Sequence, residues 1–158
     1  MFKLTLSAAL LAAAFAASPA LAADDHAHGG HQASGLESLK LNGNNRWSTD
    51  APLRKGMDGI RADVEAALPA IHTQKMDAAG FATLAAKVQG HVDFMVGNCK
   101  LPEAVDAQAH VILEQMLAGI QTMEKAGTDR TAGAVRIVAA LDAYGRFFDH
   151  PGWSAPKH

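Results

Sequence analysis

The chain has 158 residues, a formal net charge of −2 and a single cysteine. The near balance of acids and bases gives no basic stripe for nucleic acid and no acidic run for cations, and one cysteine excludes an intramolecular disulfide. With 49% hydrophobic residues, the chain carries enough apolar surface for one core in one domain.

Residues 1–22 read as an export signal. Lys3 supplies the positive start, residues 4–17 the apolar stretch, and Ala20-Leu21-Ala22 the small-residue cleavage site. Cleavage is expected after Ala22 or Ala23, leaving roughly 135 residues in the periplasm. No second apolar run reaches about 18 residues, so no membrane span is expected after cleavage. No cysteine stands at the cleavage site to take a lipid.

Residues 23–45 place His26, His28 and His31 among Asp, Gly, Ser and Asn, and predict a disordered tail. If Asp24 is the new terminus, Asp24-Asp25-His26 offers an amine, two backbone nitrogens and an imidazole, a square-planar set for Cu(II) or Ni(II). Cleavage after Ala22 moves His26 to position four and weakens that geometry. The bland reading is a His-containing tail of low metal affinity.

From Asp50 onward the apolar residues fall at helical spacing. The first helix starts on the Asp50 cap with Pro52 in its first turn, and its stripe is Leu53, Met57, Ile60, Val64, Leu68 and Ile71. The second starts near Asp77 and carries Phe81, Leu84, Val88, His91, Met95 and Asn98 inward. Pro102 opens the third, with Ala109, His110, Leu113, Met116, Leu117, Ile120 and Met123 inward until Gly127. Thr128 or Asp129 caps the fourth, which buries Val135, Val138, Leu141, Tyr144 and Phe148 before Pro151-Gly152 stops it. Four helices with short connections predict an all-α, antiparallel up-down-up-down bundle over residues 46–153, followed by a C-terminal tail at 154–158.

Residues equally far from a hairpin turn face each other, which sets His91 opposite His110 and Met57 opposite Met95. His91 and Met95, four apart, share a helix face, and Cys99 continues that side. Thioether and imidazole together favour copper, Cu(I) above all, so Met57, His91, Met95 and His110 are the expected core ligands, with Cys99 as alternate and His26 in the tail. Zinc on His91, His110, Cys99 and Glu114 or Asp106 is second choice, lacking a second thiolate. Against these stand blander roles. Methionines fill gaps in cores, and a lone histidine on an apolar face is more often a hydrogen-bonded core residue. Burial, ligation or a disulfide to another chain would each account for Cys99.

Two segments carry a resemblance. Asp50-Ala51-Pro52-Leu53-Arg54-Lys55-Gly56-Met57 and Asp142-Ala143-Tyr144-Gly145 resemble stretches of the soluble periplasmic b-type cytochromes with a four-helix bundle, relatives in architecture of cytochrome c′. The resemblance spans roughly residues 47–153 and implies the bundle fold, with Met57 in the place of that family's methionine haem ligand. Gly145 stands where the haem histidine is expected, and no Cys-x-x-Cys-His exists for covalent attachment.

No nucleophile with a base, phosphate-cradling loop or catalytic carboxylate pair can be assembled, so a binding protein is expected rather than an enzyme. The leading expectation is periplasmic copper buffering, storage or delivery to a partner protein. The alternatives are a haem-binding electron-transfer cytochrome and a metal-free interaction module. Pairing of two copies through helix faces is a further expectation.

Overall fold

The computed structural model describes residues 35–157, so the export signal, His26, His28 and His31 lie outside it. Helices α1 (Ala51–His72), α2 (Ala78–Asn98), α3 (Glu103–Glu124) and α4 (Arg130–Phe147) form the all-α four-helix bundle that the apolar stripes predict. Three of them start where a side chain can satisfy the free N–H groups of the first turn. Asp50 accepts from Leu53 N–H at 2.8 Å, Asp77 from Gly80 N–H at 2.8 Å, and Asp129 from Thr131 N–H at 3.0 Å. Helix α3 has no side-chain cap, and the Pro102 carbonyl begins its ladder. It ends at Glu124, short of Gly127, which supplies the left-handed φ of 74° that the turn requires.

The core follows the predicted stripes in α1, where all six apolar positions are buried. In α4 it does not. Val135 is 57% exposed, and Ala134 and Ile137 are buried in its stead. The cause is a close approach of α3 and α4 at two glycines, where a Cβ on Gly133 would come within 2.6 Å of the Gly119 carbonyl oxygen. That contact turns the Gly133 side of α4 toward α3 and rolls Val135 outward. In α2 and α3, His91 is half-buried, Asn98 and His110 are exposed, and Leu117 is half-buried, so the inward stripes lose their polar members.

Residues 35–40, expected as part of the tail, pack on the bundle, whereas 41–45 are exposed. A 3-10 turn at Leu36–Ser38 leads to buried Leu39, and Lys40 N–H donates to Gln108 Oε1 of α3 at 2.7 Å. Leu36 and Leu39, three apart, give this stretch one apolar side, which a composition-based reading overlooks. After Phe147 the chain turns extended before it reaches Pro151. Strands β1 (Trp47–Ser48) and β2 (Phe148–Asp149) pair in parallel with Trp47 beside Phe148, tying the two flanks of the bundle together.

Helices α1 and α4 make the sparsest contact of the four neighbouring pairs. At the end bearing β1 and β2, the C-terminal strap fills their seam. At the other end the seam stays open.

Candidate functional site

The C-terminal end of α2 and the start of α3 enclose a pocket of about 240 Å³, lined by Met95, Cys99, Asp106 and His110 with Leu53, Leu101 and Leu113 among its apolar neighbours. Met95 is fully buried and lies over Gly56 of α1, where no side chain competes for the space. Cys99 caps the end of α2 and is half-buried. His110 sits one turn after Asp106, and its Nδ1–H donates to the Asp106 carbonyl at 2.9 Å. That bond assigns the tautomer and leaves the Nε2 lone pair uncommitted, the arrangement commonly seen in a ligating histidine.

Cys99 is held as a thiol. Burial, reinforced by the Asp50 and Asp106 carboxylates, pushes its pKa up to about 12. Asp50 thereby does three things: it caps α1 through Oδ1, accepts Lys100 N–H through Oδ2 at 2.8 Å, and disfavours the Cys99 thiolate. A thiol in this setting is a poor nucleophile but remains a metal ligand once an ion displaces its proton.

The predicted set is divided. Met95, Cys99 and His110 share the pocket; Met57 is fully buried in the core and does not line it. His91 does not face His110. It crosses to α1, where Nε2 meets Asp63 Oδ2 at 3.0 Å and its ring covers Gly59. The physical reason is that α2 has neighbours on both sides, so positions on its inner stripe lean toward α1 or toward α3, a choice that spacing along one helix does not make. Partial burial alone would raise the Asp63 pKa, but hydrogen bonds from Lys87 and His91 outweigh it and hold the carboxyl below its usual range. Among the described residues, no three His, Cys, Asp or Glu side chains gather as a metal site, so a site here needs the Met95 thioether as its third donor. His26 lies outside the described residues.

Gly145 leaves room for Tyr144 and Trp153 to pack, as its place in the sequence suggests, but sequence reading missed that His150 joins them in a second cluster at the same end of the bundle. His150, 8% exposed, places Nδ1 3.1 Å from the Tyr144 hydroxyl and Nε2 3.4 Å from Asp58 Oδ2 of α1. Tyr144 stacks on Phe148 at 5.1 Å and meets Trp153 edge-on at 4.8 Å, while the Arg61 guanidinium lies 5.6 Å from the Trp153 ring. Burial lowers the His150 pKa; Asp58 opposes this, and Arg54 and Arg61 add to it. Burial likewise raises that of Tyr144. The available signal was a histidine two residues after a buried phenylalanine and directly before a Pro-Gly turn, a place where a side chain can fold back on the helix it follows.

Haem does not fit this end as the resemblance implies. The residue after Tyr144 is Gly145, and the space its side chain would enter is filled by the Trp153 indole, with Nε1 2.6 Å from where a Cβ would stand. His150 has both ring nitrogens engaged and offers no replacement. Compared with family models, curated proteins and solved structures, the chain matches none of them.

Proposed function

We propose that this chain is a periplasmic copper-binding protein that holds Cu(I) through Met95 Sδ, Cys99 Sγ and His110 Nε2. The observation that supports it is the pocket between α2 and α3, which brings a thioether, a thiol and an imidazole with a free nitrogen to one cavity. Sulfur donors with one imidazole suit Cu(I), and three donors meet its low coordination number. The apolar walls from Leu53, Leu101 and Leu113 keep water from the ion and so disfavour the harder Cu(II) state.

Binding must expel the Cys99 proton, so affinity rises with pH and each ion taken up releases close to one proton. With Val96 70% exposed beside the pocket and His110 exposed, two of the lining residues are open to a partner that exchanges ligands with the ion. Storage, buffering and delivery all require that exchange. Met57 and His91 are left out of this ligand set, and His26 contributes at most a separate Cu(II) site in the tail.

The test is an anaerobic Cu(I) titration against a chromogenic chelator, using the chain with His26, His28 and His31 changed to Ala. One ion per chain, held tighter than about nanomolar or roughly −12 kcal/mol, is expected. Cys99→Ser, Met95→Leu and His110→Gln should each weaken it more than tenfold, whereas His91→Gln should not. Failure to compete with the chelator would remove copper and favour the metal-free interaction module.

A further inference from the structure

At the end opposite the strap, the α1–α4 seam opens into a groove of about 610 Å³, within the usual range of small-molecule sites of roughly 300–1,000 Å³. Leu68 and Ile71 of α1 face Ala134 and Val138 of α4 across it, and exposed Val135 forms part of its wall. Its formal charges are one-sided. Asp129 and Asp142 line it, with His72 at the α1 end, and neither lysine nor arginine does.

The two carboxylates differ. Asp129 is occupied as the α4 cap. Asp142 is half-buried, faces both this groove and the adjoining one beside Leu36, and has no hydrogen bond or ion pair among the described residues. Removing a carboxylate partly from water beside apolar side chains costs free energy unless a partner is supplied. Among the described residues none is bonded to it; Arg146, one turn further along α4, lines the adjoining groove with Asp142 without forming an ion pair.

We infer that the groove binds a small organic cation with an apolar tail, its ammonium group on Asp142 and its tail along Val138, Val135 and Ala134. From Asp142 back to Ala134 is about 12 Å of helix, roughly the length of an eight-carbon chain. An anion of the same shape is repelled by Asp142, and a neutral molecule leaves that carboxylate unpaired. The groove lies between α1 and α4, shares no lining residue with the α2–α3 pocket of Met95, Cys99 and His110, and acts independently of any metal held there.

The experiment is an NMR titration of the full chain with n-octylamine, n-octanol and octanoate at neutral pH, following backbone amide shifts. Octylamine should move amides at residues 68–72 and 134–142 and bind at least tenfold more tightly than either counterpart. Asp142→Asn should reduce its affinity at least tenfold, to the level of octanol. Val135→Arg, at an exposed position, should do the same by placing a positive charge on the groove wall. Circular dichroism checks that both variants keep the bundle. Equal binding of all three molecules, shifts confined to other surfaces, an unaffected Asp142→Asn variant, or no shifts up to about 1 mM octylamine would each overturn the assignment.

Discussion

His150 and His110 lie at the same end of the bundle in opposite circumstances. His150 is buried, with Tyr144 on one ring nitrogen and Asp58 on the other; His110 is exposed, spends Nδ1 on its own helix, and lines a pocket with Met95 and Cys99. A buried imidazole whose two nitrogens are paired is structural, because any other use would strand the Tyr144 hydroxyl. An imidazole with one nitrogen oriented by a backbone carbonyl and the other unpaired is available for ligation. Histidine count and helical spacing therefore say less about function than the partner of each nitrogen.

The contrast is sharpest in stability. His150→Ala removes a buried ring and leaves Tyr144 unpaired, so a loss of about 2–4 kcal/mol is expected in urea unfolding, against about 0.5 kcal/mol or less for His110→Ala. Gly145→Ala should follow. Its Cβ would press on the Trp153 indole, and the overpacking cost of about 1–3 kcal/mol exceeds the roughly 1 kcal/mol that alanine gains in a helix. A red shift in tryptophan emission would report Trp153 leaving the seam, and an unchanged spectrum with raised stability would contradict this packing.

Acid should weaken the His150 cluster next. Folded His150 titrates below the 6.5 of a free imidazole, so the unfolded chain takes up the extra proton first. Its contribution to stability is complete above pH 6.5 and is lost as the pH falls toward the folded value. Unfolding midpoints measured between pH 7.5 and 5 should decline, and His150→Gln should flatten that decline.

In the α2–α3 pocket, a Cys99 pKa of about 12 leaves roughly one part in 10⁴ as thiolate at pH 8, so iodoacetamide should react far more slowly with the folded chain than with the chain in urea. Rapid alkylation of the folded protein would show that burial and Asp50 do not govern the thiol. The smallest effect belongs to the open end of the seam. Gln74 holds a φ of 54° at the groove rim, and Gln74→Gly should stabilise the fold by about 0.5 kcal/mol through relief of that strain.

Legibility varied along the chain for reasons that can be named. Asp50, Asp77 and Asp129 announce helix starts because capping is a local transaction between a side chain and the first free N–H groups. The α1 stripe is equally plain, since every third or fourth residue there is apolar. Val135 misled because its exposure depends on Gly119 and Gly133, on separate helices, allowing α3 and α4 to meet. In the candidate site, Met95, Cys99 and His110 were named from residue chemistry and hairpin register, and they do share a pocket. His91 was named on the same grounds and pairs with Asp63 instead. Nothing in helical spacing signalled that a loop after α4 would return His150 to Tyr144 and Asp58.

Hydrophobic period, caps and turn residues, all of them interactions within a few positions of one another, were enough to determine four helices, where they start and an all-α bundle. Tertiary structure decided how those helices roll, which neighbour of α2 His91 meets, and how the α1–α4 seam is closed by Trp153 at one end and open at the other. Those outcomes depend on contacts between residues far apart in the chain, where a single glycine or a returning loop alters the balance and no local pattern records it.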